Sequence, residues 1–230
     1  KNPEKYAGKE AFLCSVTDPY QPIEAKYKRT RALLEQLQGS GVSISIATKS
    51  DLVLRDLDLL EQINRQQKAV VQMTLTTYDE NLCSILEPHV CTTARRAEVL
   101  EIMRENGIPT VVWLSPLLPY LNDTEENLRG ILRYCTEAGV RGIICFGIGM
   151  TLRAGNREYF YAALDRHFPG LKERYIRRYG NRYELVSDNH PRLMRMFQEV
   201  CQRHGILHTP EDCFAYLRHL PEKYEQTTLF

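Results

Sequence analysis

Five short and almost wholly apolar segments recur along this chain of 230 residues, and stretches with a helical pattern separate them. The spacing predicts a β-strand for each segment and an α-helix between consecutive strands. Strands that are apolar on both faces are typical of a parallel sheet that helices cover. The five predicted strands are Ala11–Val16, Val42–Ala47, Ala69–Leu75, Pro109–Leu114 and Gly142–Ile148.

The number of strand–helix units limits the architecture. Five units end at about residue 150, whereas a complete eightfold barrel needs about 250 residues. We therefore expect an α/β fold built as a partial barrel, with an open sheet as the alternative. The predicted helices are one that ends at about Gln38, one through Leu59, Leu60 and Ile63, and Glu80–Leu86, Thr92–Asn106 and Thr124–Ala138.

The pattern changes after Met150, where no further apolar strand is evident. Two amphipathic segments, Pro191–His204 and Pro210–His219, predict helices. We therefore expect a β/α core over residues 1–150 and a helical C-terminal extension over residues 151–230.

Charge and cysteine usage restrict the class of protein. The net charge of +1, from 30 Lys and Arg against 29 Asp and Glu, implies by itself no polyanionic partner. No apolar stretch reaches the roughly 20 residues of a membrane span. The seven cysteines are scattered and odd in number, which is typical of a reducing compartment. We expect a cytoplasmic protein that does not enter a membrane.

Polar residues follow the predicted strands at their carboxyl ends, where parallel α/β folds bind ligands. A lysine there suits an anionic group, hydroxyls suit a sugar, and an aspartate suits an ammonium or a ribose. The alternative is that these side chains cap the following helices, which we favour for Ser50, Asp51 and Thr124. For Asp18 and Lys49 we favour a binding role. The candidate binding residues are Thr17, Asp18, Lys49, Thr74, Thr76 and Ser115.

Two patterns in the C-terminal part have a structural alternative. Residues 201–213 contain two cysteines and two histidines at the spacing of a zinc site, but Gly205 interrupts the helix between the histidines. Because Cys201 lies on the apolar face of its helix, we favour a buried cysteine with surface histidines over a zinc site. The segment Arg153–Arg182 holds eight Lys or Arg and three Asp or Glu, and it suits a nucleic-acid backbone. The tyrosines that could stack on bases are Tyr159, Tyr161, Tyr175, Tyr179 and Tyr183. For this segment we slightly favour an amphipathic helix with its tyrosines in the core.

Several short motifs, taken together, resemble one family. The chain resembles the radical S-adenosylmethionine (SAM) proteins, specifically the spore photoproduct lyase-like branch, also described as DNA repair photolyase-like. The motifs are Thr17–Glu24 (TDPYQPIE), Ala47–Asp51 (ATKSD), Thr74 to Thr76, Glu87-Pro88 followed by Arg95-Arg96, Ser115-Pro116, residues 151–153 (TLR), residues 157–161 (REYFY), Phe168–Leu171 and Tyr179–Asn181.

The resemblance implies a (β/α)6 partial barrel, here without its first unit, that binds SAM and a [4Fe–4S] cluster. It implies that Lys49 meets the methionine carboxylate and that Ser115 approaches the adenosine through its backbone. Thr17 and Thr74 would lie along the sulfonium and the ribose, and Asp18 and Thr76 would border the same pocket. It also implies a reducing partner such as flavodoxin or ferredoxin, and a radical that abstracts hydrogen from a substrate.

The chain departs from this family at two points. Residues 1–230 contain no triad of cysteines in the C-x3-C-x2-C spacing that holds the cluster. Because the first strand resembles the second strand of the family, we expect the cluster loop to precede Lys1 in a longer protein. The hydrogen-donating cysteine of the true lyase is replaced by Ser15, and Cys14 should point to the opposite face of the strand. This argues against spore photoproduct as the substrate.

Two other functions remain open. The chain could be a non-catalytic nucleic-acid-binding module that uses Arg153–Arg182. It could also be a Schiff-base lyase in which Lys49 is the amine nucleophile, although no acidic residue paired with that lysine is evident from the sequence.

Overall fold

Strands and helices alternate along residues 7–13 and 17–219, which the computed structural model of the protein describes. The strands are β1 (Glu10–Leu13), β2 (Ser43–Thr48), β3 (Ala69–Thr74), β4 (Thr110–Trp113), β5 (Gly142–Ile144), β6 (Gly149–Thr151) and β7 (Glu184–Val186). The helices are α1 (Glu24–Tyr27), α2 (Arg29–Leu37), α3 (Leu57–Gln66), α4 (Glu80–Leu86), α5 (Thr93–Glu105), α6 (Glu125–Glu137), α7 (Asn156–His167), α8 (Leu171–Tyr179), α9 (His190–His204) and α10 (Pro210–Arg218), and a 3₁₀ helix covers Asp51–Asp56.

The first five strands form one parallel sheet in the order β1-β2-β3-β4-β5. Since the order never reverses, right-handed crossovers place the connecting helices on one face of the sheet. The other face is then the concave interior of a partial barrel. The prediction of a parallel α/β fold with a C-terminal helical part is confirmed.

The two faces of the sheet are packed differently. Side chains on the helix face, such as Ile46, Met73 and Val112, belong to the large buried core together with Phe197 of α9. On the concave face a small cluster joins the sheet to α10, and its fully packed members are Val70, Val111, Ile144, Cys213 and Leu217. The C-terminal helices therefore contribute to both sides of the sheet.

The chain returns to the sheet after α9. The backbone N–H of Ile143 donates to the carbonyl of Leu207 at 2.8 Å, and the N–H of Leu207 donates to the carbonyl of Arg141 at 3.1 Å. Gly142 and Leu207 form a parallel bridge. This single bridge extends the sheet by a rudimentary strand beyond β5.

The predicted helix that ends near Gln38 is two helices. Lys28 lies between α1 and α2 in the left-handed conformation, with φ 51°. The carboxylate of Glu24 accepts hydrogen bonds from the N–H groups of Arg29 and Thr30 at 2.9 and 3.0 Å. This carboxylate therefore caps the start of α2 and stabilises the break.

The predicted strand Gly142–Ile148 is wrong beyond Ile144, because the chain turns there and enters a second sheet. In this sheet β6 pairs with β7 in antiparallel orientation, so the C-terminal part is not purely helical. Gly147 has φ 124° at the turn, a value that favours glycine. The predicted division at residue 150 falls within β6, and the division into two domains stays a prediction.

One earlier prediction concerns residues that the structure does not describe. Cys14 and Ser15, whose directions bear on the substrate of the family, lie outside the described residues. Among residues 7–13 and 17–219, no helix has the length and apolar character needed to cross a membrane.

Candidate functional site

Asp18 joins the loop after β1 to the end of β2. Its carboxylate accepts hydrogen bonds from Oγ1 of Thr48 at 2.7 Å, from the N–H of Lys49 at 2.8 Å and from the N–H of Tyr20 at 2.8 Å. The loop therefore lies directly beside the carboxyl end of β2, as the parallel register predicts. These three bonds give Asp18 a structural task in addition to any binding role.

Lys49 has a fixed backbone and a half-exposed side chain. Its carbonyl accepts a hydrogen bond from Sγ of Cys91 at 3.1 Å, and its N–H donates to Asp18. The backbone of Lys49 is therefore held on both sides of its Cα. Its side chain is 39% exposed, and Nζ forms an ion pair with Oε1 of Glu87. The carboxylate of Glu87, at the end of α4, therefore fixes the position of this amine.

Glu87 is in turn held by Arg96, which has no exposed surface. The guanidinium donates to Oε2 of Glu87 and to the carbonyl of Thr74, both at 2.7 Å, and to the carbonyl of Cys91 at 3.1 Å. Arg96 therefore links the end of β3, the loop between α4 and α5, and the ion pair of Lys49.

The Glu87 carboxyl is ionised at neutral pH. Burial raises its pKa, but the charges and hydrogen bonds of Arg96 and Lys49 outweigh burial, so the pKa lies below its ordinary value of 4.5. A buried carboxylate with two cationic partners behaves in this way because each partner favours the charged form.

A cavity of about 410 Å³ lies above this ion pair. Lys49, Glu87 and Thr76 form part of its polar floor, and α7 forms an apolar wall through Ala162 and Ala163. The carbonyl of Thr76 accepts hydrogen bonds from the side-chain amides of Asn122 and Asn127, at 3.0 and 2.9 Å. Tyr159, Arg166 and His167 also line this cavity.

A second cavity, of about 480 Å³, lies at the ends of β4 and β5. Ser115, Phe146 and His190 line it, and Pro116 lines both cavities, which makes them neighbours. Nδ1 of His190 accepts a hydrogen bond from the N–H of Ile148 at 3.1 Å. The neutral imidazole therefore carries its proton on Nε2.

Thr74 lies apart from these two cavities, on the concave face of the sheet. It lines an open cavity of about 540 Å³ together with Phe12 of β1, Trp113 of β4 and Phe214 of α10. Two of its lining residues are joined by a hydrogen bond, in which Nε1 of Trp113 donates to Oε1 of Gln72 at 2.7 Å.

The structure thus distributes the six predicted binding residues along the carboxyl edge of the sheet. Lys49 and Thr76 share one cavity, Ser115 lines its neighbour, and Thr74 lines the concave face. Thr17 is exposed. Sequence reasoning missed Glu87 as the partner of Lys49, and also missed His190 and Asn122. Glu87 and Arg96 stood in the family motifs, so their pairing had a signal in the sequence.

The basic segment Arg153–Arg182 has its tyrosines divided between core and surface. Tyr175 and Tyr179 are buried, at 0% and 4% exposure, which agrees with the favoured interpretation that the tyrosines of this segment lie in the core. Tyr159 and Tyr183 are exposed. Arg157 donates to the carbonyls of Leu152, Gly180 and Arg182, and Arg178 forms an ion pair with Asp188. Part of this basic charge therefore holds the local backbone together.

Comparisons with known proteins give uncharacterized relatives. No protein-family model matches the chain. A protein of Mycobacterium tuberculosis strain H37Rv is 33% identical over 159 residues, which cover 69% of this chain and 46% of that protein. A protein of Methanocaldococcus jannaschii is 36% identical over 121 residues, and these cover 53% of this chain and 45% of that protein.

A third relative, from Acidianus two-tailed virus, is 32% identical over 164 residues, which cover 70% of this chain and 52% of that protein. The chain therefore spans about half the length of the curated relatives it matches. The names of these relatives state no activity.

Among solved structures, the chain is similar to Streptococcus suis SuiB bound to S-adenosylmethionine. The TM-score is 0.42 at 14% identity, over 70% of this chain and 34% of SuiB. SuiB bound to its precursor peptide SuiA gives a TM-score of 0.42 at 14% identity, over 71% of this chain and 36% of SuiB. At this TM-score the likeness carries no argument about the fold or the ligands of this chain.

Proposed function

We propose that this chain is the SAM-holding core of a radical SAM protein of the spore photoproduct lyase-like branch, with Lys49 as the contact for the methionine carboxylate. The observation that carries the proposal is the placement of Lys49. Its half-exposed amine stands at the carboxyl end of β2, beside a cavity that also reaches the end of β3. The family motifs around this lysine support the same role.

The chemistry of the donor set fits SAM. A lysine and a carboxylate suit the charged methionine end, and the neighbouring cavity offers the ring of Phe146 and the backbone around Ser115 and Gly147 to the rest of the ligand. Volumes of about 410 and 480 Å³ lie within the roughly 300–1,000 Å³ of small-molecule sites. Because Pro116 lines both cavities, one extended ligand can occupy the two together.

The residues that the structure describes do not fit the [4Fe–4S] cluster that the resemblance implies. Among residues 7–13 and 17–219, no group of three or more His, Cys, Asp or Glu is placed to hold a metal ion. The function proposed for this chain is therefore the binding of SAM.

SAM in this family supplies, on one-electron reduction, a radical that abstracts hydrogen from a substrate. The residues of this chain bind and orient the cofactor: Lys49 holds its carboxylate, and Glu87 holds Lys49. Helix α7 covers the cavity with Ala162 and Ala163, so it limits the access of water to a bound ligand. The substrate, a nucleic-acid partner and a reducing partner stay predictions.

The Schiff-base alternative is less favourable in this structure. A nucleophilic lysine needs an unprotonated amine, and this form is favoured by burial or by a neighbouring cation. Lys49 is instead 39% exposed, and its amine is engaged by the carboxylate of Glu87.

The proposal is tested by equilibrium dialysis of the chain against labelled SAM, with a matched pair of variants. Lys49→Met removes the proposed contact. Lys172→Met is the control, because Lys172 forms a similar ion pair with Asp165, is 33% exposed and lies outside both cavities. We expect Lys49→Met to weaken SAM binding at least roughly tenfold, since one hydrogen bond between charged groups is lost. Lys172→Met should bind SAM as the unmodified chain does.

Circular dichroism of the three proteins checks that they are equally folded. The proposal is overturned if the unmodified chain does not bind SAM, or if the folded Lys49→Met variant binds it as tightly as the Lys172→Met control.

A further inference from the structure

The concave face of the sheet carries aromatic side chains that the proposed function does not use. Phe12 of β1 is 46% exposed, and it lines the same cavity of about 540 Å³ as Trp113 of β4 and Phe214 of α10. We call this space the aromatic cavity. Its lining residues differ from those of the two cavities proposed for SAM. Accessible aromatic side chains around a concave space of this size are typical of a binding site.

The aromatic cavity has rings at its sides and a small side chain in its floor. Trp113 and Phe214 meet edge to face, with ring centroids 6.1 Å apart, and form one side. Phe12 lies three strands away from Trp113. Because neighbouring strands are about 4.8 Å apart, roughly 14 Å of sheet separates the backbones of these two residues. Ala47 of β2 and Gln72 of β3 lie between them, and the short side chain of Ala47 leaves room for a flat ring.

Gln72 gives the floor of the aromatic cavity a fixed polar group. Its side chain is 2% exposed, Nε2 donates to Oγ of Ser45 at 2.6 Å, and Oε1 accepts a hydrogen bond from Nε1 of Trp113 at 2.7 Å. These bonds orient the amide, and they use one of its two N–H groups and one lone pair of its oxygen. The remaining donor and acceptor suit a neutral polar group, such as a hydroxyl or an N–H on a ring.

The charged residues of the lining balance each other. Glu10 of β1 and Arg218 of α10 line the aromatic cavity, one with a negative and one with a positive charge. Binding of phosphates depends on an excess of lysine and arginine, whereas the charges of this lining sum to zero. The aromatic cavity therefore suits a neutral aromatic group better than a nucleotide.

We infer that the aromatic cavity binds the neutral aromatic side chain of an amino acid or a peptide, with Phe12, Trp113 and Phe214 as its ring contacts. The site goes beyond the proposed function, and its lining is separate from the cavities proposed for SAM, so either proposal can fail without the other. Helix α10, which supplies Phe214 and Leu217, thereby has a binding role in addition to its packing against the sheet.

Trp113 itself reports on this site, because it is the single tryptophan of the chain and its indole N–H gives one signal in the NMR spectrum of the isotope-labelled protein. The unlabelled probes are N-acetylphenylalaninamide, N-acetylcyclohexylalaninamide, which is apolar but has no aromatic ring, and thymidylate. We expect N-acetylphenylalaninamide to shift the signal saturably and to bind roughly two- to tenfold more tightly than the cyclohexyl probe, because ring contacts add to the burial of apolar surface. Thymidylate should bind more weakly still.

Three results would overturn the inference. They are the absence of a saturable shift with N-acetylphenylalaninamide, an affinity for the cyclohexyl probe that equals it, and an affinity for thymidylate that equals or exceeds it. The second result would describe a merely apolar cavity, and the third a nucleotide site.

Two variants with a matched control locate the binding in this cavity. Phe12→Ala removes one ring and should weaken the binding of N-acetylphenylalaninamide roughly threefold or more. Ala47→Leu fills the floor and should weaken it as well. Tyr27→Ala is the control, because Tyr27 is 54% exposed and lies on α1, outside the aromatic cavity. Circular dichroism checks the folding of each variant. The inference is wrong if either folded cavity variant binds the probe as tightly as the Tyr27→Ala control.

Discussion

Nη2 of Arg96 donates to Oε2 of Glu87 at 2.7 Å, and the arginine has no exposed surface at that point. The neighbouring Arg95 makes the same type of contact, from Nη1 to Oε2 of Glu98 at 2.7 Å, but its side chain is 40% exposed. Arg95 also pairs with Asp51 at 2.9 Å, so two adjacent residues of α5 form one buried ion pair and two exposed ones. The buried pair connects the core to the candidate binding site.

Replacement of these two arginines should have very different effects. Arg96→Met leaves Glu87 buried without its main partner, and we expect a loss of about 3–5 kcal/mol in the free energy of unfolding. Arg95→Met removes two exposed ion pairs, with Glu98 and with Asp51, and we expect a change within about 1 kcal/mol. Urea unfolding of the two variants measures the difference. Similar losses in both would show that the Arg96 contact adds no more than a surface pair.

The stability of the chain should depend on the charge of Glu87 in acid. Because its pKa in the folded state lies below the ordinary value of 4.5, its contribution is present above that value and is lost as the pH falls through the lowered pKa. We expect the free energy of unfolding of the unmodified chain to fall more steeply below pH 4.5 than that of Glu87→Gln. Urea titrations over a series of pH values give both slopes. Parallel slopes would contradict the lowered pKa.

Replacement of Gly130, in the middle of α6, by alanine should destabilise the chain, which is the reverse of the usual effect in a helix. Alanine normally stabilises a helix interior by about 1 kcal/mol relative to glycine. A Cβ at Gly130, however, would lie 2.2 Å from Cγ of Tyr78, at the rigid end of the ring. We expect Gly130→Ala to destabilise the chain by about 1–3 kcal/mol. In a Tyr78→Ala background the same change should stabilise it, and thermal unfolding of the four proteins decides the sign.

Gly147 should tolerate a side chain less well than another glycine with positive φ. Its φ is 124°, and a Cβ there would lie 2.9 Å from Cε1 of His190. Gly39 also has positive φ, 69°, but a Cβ there would meet no atom within 4 Å. We expect Gly147→Ala to cost about 1–3 kcal/mol and more than Gly39→Ala.

The contact with the histidine can be separated from the backbone strain. In a His190→Ala background the cost of Gly147→Ala should decrease, because one of its two causes is removed. An unchanged cost, measured by urea unfolding, would show that the backbone conformation alone is responsible.

The sequence predicts the strands and their parallel arrangement well because each depends on local pattern. Apolar runs such as Ala69–Leu75 are buried on both faces, and their spacing leaves room for one helix between neighbours. The helix break at Lys28 was not predicted, because the apolar pattern continues across it while Glu24 caps the second helix. Capping of this kind overrides a smooth helical pattern.

The contacts of the candidate site could be predicted from the sequence only in part. Lys49 and Asp18 could be placed at neighbouring strand ends from the sequence alone, since parallel register brings those ends together. The partner of Lys49 could not be identified in this way. Glu87 lies 38 residues further along the chain, and the loop that follows α4 brings it back to the end of β2.

The sequence by itself determined the five strands of the parallel sheet, most of the helices between them, and that polar residues gather at the carboxyl edge of this sheet. These properties follow from apolar periodicity, which acts over a few residues. Only the tertiary structure decided that Lys49 forms an ion pair with Glu87 and that the buried Arg96 contacts the same carboxylate. Coulomb attraction and burial act between residues that are distant in the chain. The ion pairs of the site and the position of the Lys49 amine therefore depend on how the loops fold back onto the sheet.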